Sequence, residues 1–183
     1  SDNNSGFATI YTSNGTPQSP QVQIAAPPGQ TTQAAPTGVV FNTFAADNAF
    51  MLNGKPANFI FDTEDGTISA WNGGTTTTIE VDNSNNPFAG ADGNGAVYKG
   101  LAIANTSNGP DLFAANFRHG TVDVFNSNFQ QIGDFTDPNV PKGYAPFDVQ
   151  ALNGNLFVTY ALQNATKHDD VAGKHHGFVD EFN

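Results

Sequence analysis

The sequence predicts an all-β chain built from repeated antiparallel sheets, and three observations lead there. The first is composition. Of 183 residues, 38% are hydrophobic and only 13% charged, with 16 Phe and 19 Gly. That mixture is too aromatic for a disordered chain and too poor in Leu, Glu, Lys and Ala for a helical one. The second is a motif in which a Gly leads into a short alternating strand that ends on an aromatic residue. The third is its spacing. Copies start at Gly6, Gly66, Gly120 and Gly177, which lie 60, 54 and 57 residues apart. Near-constant spacing of that size marks a repeat of one small sheet per unit.

The elements of the unit can be taken in order. The motif itself reads SGFATIY, DGTISAWN, HGTVDVFN and HGFVDEFN. A second strand precedes three copies, as FIFDT (59–63), DLFAANF (111–117) and NLFVTY (155–160). A third lies further upstream, as TGVVFN (37–42), KGLAIAN (99–105) and FDVQAL (147–152). These short apolar runs, bounded by Gly, Pro, Asn or Asp, have the character of strands covered on both faces. A more polar strand follows some copies, as QVQIAA (21–26), TTIEVD (77–82) and QIGDF (131–135).

Four strands per unit, inner ones apolar and outer ones polar, is the pattern of a β-propeller blade. A sandwich has no reason to repeat at a fixed interval, and solenoid coils are much shorter. The expected units are residues 1–36, 37–98, 99–146 and 147–183, about three blades of a larger ring. The first supplies only outer strands and the last stops at its third strand. The expectation is therefore a part of a longer chain, or a protomer that self-associates through open edges at Gly6–Tyr11 and Phe178–Asn183.

Charge narrows the partners. Six Lys and Arg against seventeen Asp and Glu give a net charge of −11, too few cations for nucleic acid or an anionic lipid surface. The absence of cysteine excludes disulfides and thiolate metal sites. No apolar run is long enough to span a membrane. No signal peptide is present, and the opening SDNNSGFATIY reads as a mature or trimmed N-terminus. Sequons at Asn3, Asn14, Asn105 and Asn164 fall in turn-like segments and are candidate glycosylation sites.

The segments TEDGTISAWN, AVYKGLAIAN, ANFRHGTVDVF, FTDPNVPKGYAPFDVQ and YALQNATKHDDVAGKHHGFVDEF, in that order, cover nearly the whole chain. Together they resemble an uncharacterised family of secreted propeller proteins, distantly related to NHL-type propellers. Bacterial members often carry a C-terminal surface-sorting tail. The resemblance implies a propeller fold and an extracellular address. It implies no chemistry, because the family has no established activity.

Candidate sites fall in the turns between second and third strands, which share one face of a propeller. They hold Glu64 and Asp65, then Arg118 and His119, then an insertion from Gln163 to Gly177 with His168, Asp169, Asp170, His175 and His176. All four histidines thus occupy equivalent places. Imidazole and carboxylate could hold a divalent metal, either Ca²⁺ or a His-ligated transition metal, although no defined ligand spacing is matched. The competing reading is a solvated loop. Glu64 and Asp65 could act as acid and base, yet Asp-Gly is first of all a tight-turn sequence. Arg118, the only arginine, could clamp an anionic ligand or pair with a carboxylate such as Asp65. The Asn/Asp/Gly-rich stretch from Asp82 to Gly95 could offer oxygens to Ca²⁺, but it reads better as an inter-blade loop. Trp71, Phe61, Phe125 and Phe182 fit packing between blades.

The expected function is an extracellular, non-catalytic binding or structural propeller, meeting a polysaccharide, a surface protein or a copy of itself. The alternative is a metal-assisted lyase or hydrolase using the His/Asp cluster. No nucleophile elbow or phosphate-binding Gly loop is present.

Overall fold

The computed structural model describes residues 1–84 and 95–183. Most of the Asp82–Gly95 stretch, with its candidate Ca²⁺ oxygens, lies outside the described residues. The chain is all-β, with several antiparallel sheets, none of them closed. Its strands are β1 (Phe7–Tyr11), β2 (Pro17–Gln23), β3 (Pro36–Phe41), β4 (Met51–Leu52), β5 (Lys55–Pro56), β6 (Phe59–Thr63), β7 (Thr67–Trp71) and β8 (Thr78–Asp82). They continue as β9 (Tyr98–Thr106), β10 (Gly109–Asn116), β11 (Thr121–Asn126), β12 (Gln131–Phe135), β13 (Tyr144–Leu152), β14 (Asn155–Leu162) and β15 (Gly177–Phe182).

Chain order and sheet order coincide. The first sheet is β1-β2, the second β3-β6-β7-β8, the third β9-β10-β11-β12 and the fourth β13-β14-β15. A small hairpin, β4-β5, sits between β3 and β6. The leading strands lie side by side, β9 adjoining both β3 and β13.

Apolar cores fill the spaces between successive sheets. Ala8, Val22 and Ile24 of the first sheet region pack with Phe61 of the second. Ile60, Ile68 and Ala70 pack with Leu101, Leu112, Ala114 and Phe125 of the third. Ala102, Phe113, Ala115 and Val122 pack with Val149, Val158 and Tyr160 of the fourth. Strand β10 shows why its sequence is continuously apolar: Leu112 and Ala114 turn to one core, Phe113 and Ala115 to the other. Side chains alternate across a strand, so a strand covered on both faces has no polar phase.

The aromatic ends of the repeat motif do one job three times. Trp71 packs toward the first sheet, Phe125 toward the second and Phe182 toward the third. Their backbone partners Phe59, Leu112 and Leu156 lie beside them in the ladder.

The excursion between β3 and β6 was not apparent from the repeat, and it plugs the wedge between the second and third sheets. A left-handed Asn53-Gly54 pair, with φ of 52° and 79°, turns the β4-β5 hairpin. Asn42, 1% exposed, staples the excursion by donating Nδ2 to the carbonyls of Ala49 and Ala57, both at 3.0 Å. Asn42→Ala leaves both carbonyls buried without that donor. It is expected to cost about 2 kcal/mol, read as a lowered urea midpoint with an unchanged slope.

Candidate functional site

The turns that follow β6, β10 and β14 meet at one end of the sheets, and a lysine that the motif search did not single out is at their centre. Lys99, on β9, has a side chain only 7% exposed. Its Nζ donates to Glu64 Oε1 of the second-sheet turn and lies 3.7 Å from Asp169 Oδ1 of the fourth-sheet loop. The rings of Phe117 and Phe147 flank it, with centroids 5.8 and 5.9 Å from Nζ and crossing edge to face. One cation therefore links three sheets. Its only sequence signal was a lysine at the head of an apolar strand.

The two turn carboxylates act on neighbours rather than as a pair. Glu64 faces Lys99. Asp65 accepts from the Ala35 amide at 2.6 Å and from Gln30 Nε2 at 3.0 Å, and so holds the loop ahead of β3. Arg118 does not pair with Asp65. Its Nη1 donates to the Gly95 carbonyl at 3.2 Å, while its Nε is buried without a hydrogen-bond partner among the described residues.

The long loop is folded on itself. Asn164 Oδ1 accepts from the Thr166 and His168 amides, both at 3.1 Å, and from Thr166 Oγ1 at 2.9 Å. Gln163 donates Nε2 to the carbonyls of Phe117 and Arg118, which ties the loop to the neighbouring turn. His168 Nδ1 and Asp169 Oδ1 are 2.9 Å apart, and this contact draws the Asp169 carboxyl below its usual range. His176 Nδ1 sits 3.0 Å from the Val171 carbonyl. His175 is exposed, with φ of 65°, and Asp170 is exposed as well. Of the six expected metal ligands, the fold brings together His168 and Asp169; among the described residues no group of three or more His, Cys, Asp or Glu converges.

Two buried carboxylates lie below this end. Asp123 accepts from Asn116 Nδ2 at 2.8 Å, Thr121 Oγ1 at 2.8 Å and Tyr98 OH at 3.1 Å. Asn83 Nδ2 in turn donates to Tyr98 OH at 2.9 Å, so this network joins the second sheet to the third. Burial raises the Asp123 carboxyl and pushes the Tyr98 phenol well up. Asp62, fully buried, accepts from the Gly38 amide and from Thr37 Oγ1 at 3.0 Å, while its Oδ2 has no hydrogen-bond partner among the described residues. Burial pushes it up to about 6, and the nearby charge of Asp148 adds to the rise. Gly38 and Gly100 make this possible: a Cβ on Gly38 would stand 2.7 Å from Asp62 Oδ1, and one on Gly100 would stand 2.2 Å from Asp148 Oδ1.

The candidate glycosylation asparagines differ in setting. Asn14 and Asn105 are exposed, whereas Asn3 and Asn164 are half-buried. Asn164 is also engaged in its own turn.

No family model and no curated protein matches the chain. Among solved structures it is similar to U3-55K, with TM-score 0.46 and 15% identity over 81% of this chain and 42% of that one. It is also similar to a candidate 6-phosphogluconolactonase from Bacteroides uniformis, with TM-score 0.43 and 15% identity over 94% of this chain and 49% of that one. The chain thus spans less than half the length of either structure.

Proposed function

We propose that the chain is a stretch of a β-propeller of the secreted, uncharacterised family it resembles, and that it works outside the cell as a non-catalytic binding or structural module. The observation that carries the fold reading is the set of apolar cores between successive sheets, with β3, β9 and β13 adjoining. Sheets stacked about their leading strands are what a propeller requires. The functional reading rests on the turn-bearing end. There Glu64, Asp65, Lys99 and Gln163 spend their polar atoms on neighbouring elements, and Asn164 on its own loop. Groups held that way make a firm surface, suited to a polysaccharide or a surface protein. Proton transfer needs a group kept ready for substrate instead.

The test is native mass spectrometry of the full chain, with and without added Zn²⁺ and Ca²⁺, followed by titration with soluble cell-surface polysaccharide. We expect binding to the polymer that is unchanged by chelation. A stoichiometric metal lost in His175→Ala/His176→Ala, together with a lyase or hydrolase activity, would reverse the reading.

A further inference from the structure

A polar network at the boundary between the second and third sheets has a counterpart one repeat later, and the second copy is not balanced. In the first, Asp123 accepts from Asn116 Nδ2, Thr121 Oγ1 and Tyr98 OH, and Asn83 Nδ2 donates to the same phenol. One carboxylate there meets three donors.

The strand registers give each member its counterpart at the boundary between the third and fourth sheets. Asp123 faces Ala114 across its ladder and Asp180 faces Val158, so Asp180 takes the place of Asp123. Two residues beyond those partners come Asn116 and Tyr160. Asn116 faces Thr121 and Tyr98, whereas Tyr160 faces Phe178 and Pro146. Asn83 comes two residues after Val81, and Asp137 two after Phe135, the partners of Ile68 and Val122. Every counterpart lies within residues 137–180.

These exchanges remove donors and add a charge. Asp137 stands for Asn83, Pro146 for Tyr98 and Phe178 for Thr121, which takes away an amide, a phenol and a hydroxyl. Tyr160 stands for Asn116 and brings a single hydroxyl. Tyr160 is 2% exposed, and neither its hydroxyl nor the buried Oδ2 of Asp180 has a hydrogen-bond partner among the described residues. The Asp137 and Asp180 carboxyls lie within hydrogen-bond reach of one another, with the phenol beside both. Asp137 Oδ1 accepts from the amide and the Nδ2 of Asn139, at 2.8 and 2.9 Å, so its own loop fixes that carboxylate in place. Burial and the Asp137 charge raise the Asp180 carboxyl. Burial and the Asp180 charge push the phenol up to about 12, so it stays a neutral hydroxyl. No Lys, Arg or His pairs with either carboxylate among the described residues.

We propose that Asp137, Asp180 and the Tyr160 hydroxyl hold a calcium ion between the third and fourth sheets. Two adjacent carboxylates repel unless a cation or a proton stands between them. The ion supplies the positive partner that the three donors supply to Asp123. A set made of oxygens alone selects a hard cation, and Ca²⁺ accepts irregular geometry and completes its shell with water more readily than Mg²⁺. The ion ties the loop after β12 to β14 and β15, as the Asn83–Tyr98 contact ties the second sheet to the third. The site uses no residue of the histidine-bearing loop and does not rest on the proposed function.

The test is calorimetric titration of CaCl₂ into the EGTA-treated and dialysed 183-residue chain at neutral pH, with its melting temperature followed in parallel. One equivalent is expected to bind with a Kd on the order of 10⁻⁴ to 10⁻³ M. The melting temperature should rise with Ca²⁺, and MgCl₂ should bind more weakly. Asp137→Asn copies the amide found at Asn83. It should bind Ca²⁺ at least about tenfold more weakly, yet melt no lower than the calcium-free wild type, because it also removes the repulsion. Asp180→Asn should lose the ion as well. Binding should persist in His175→Ala/His176→Ala, so failure here and failure of the proposed function are told apart. No saturable binding at about tenfold above that Kd range would overturn the proposal, and the two carboxylates would then share a proton instead. Unchanged affinity in both asparagine variants, or loss of the ion on replacing the histidines, would overturn it too.

Discussion

Lys99→Met should destabilise the chain by about 3 kcal/mol, because it removes one member of a nearly buried ion pair and leaves the other behind. Methionine retains most of the stem that lies between Phe117 and Phe147, so packing changes little. The Glu64 carboxylate, 17% exposed, then has no cation beside it, and Asp169 loses its link to β9. The decisive comparison is the double variant Lys99→Met/Glu64→Gln. Replacing both charges removes the unpaired one, and most of the lost stability should return. Urea unfolding of the two single variants and the double closes the cycle. A cost below about 0.5 kcal/mol for Lys99→Met would mark the contact as an ordinary surface pair, and the staple between three sheets would have to be abandoned.

Acid should stabilise this protein before it harms it. Asp62 is raised to about 6 in the fold, against an ordinary carboxylate value near ~3.9 when unfolded. The folded state therefore binds the proton more tightly, and stability is greatest while Asp62 is protonated. Stability falls as pH rises from about 4 through 6, by about 3 kcal/mol in all from this one group. Burial displaces Asp123, Asp148 and Asp180 in the same direction. Asp2 and Asp169 are drawn the other way, but both are exposed. The net charge of −11 adds self-repulsion that also eases on acidification. Urea midpoints at about pH 4.5 and about pH 7, on either side of the Asp62 titration, test this. Asp62→Asn should flatten the difference, since the amide oxygen can still accept from Gly38 and Thr37. A wild-type protein more stable at pH 7, or an unaltered slope in the variant, would show that the orphaned Asp62 oxygen is not what the fold opposes.

Much of the architecture could be read from residue order. The Gly-led motif placed β7, β11 and β15, and the apolar runs upstream placed β6, β10 and β14 to within a residue or two. Those elements are legible because alternation and turn chemistry are local, and because a strand buried on both faces reads as a mostly apolar run. The β4-β5 hairpin had a local signal too, in Asn53-Gly54, but it falls outside the repeat.

The candidate site was legible only in part. The sequence by itself determined which turns would share an end, and it located Glu64, Asp65, Arg118 and the histidine-bearing loop there. Only the tertiary structure decided what those groups touch. It paired Glu64 with Lys99 rather than setting it beside Asp65 as an acid and base, turned Arg118 to a carbonyl, and left His175 exposed. It also filled the space between the second and third sheets with Phe50. The reason is physical: strand identity follows from periodicity along the chain, whereas ion pairs and cavities depend on the distance between side chains far apart in sequence, which packing alone sets.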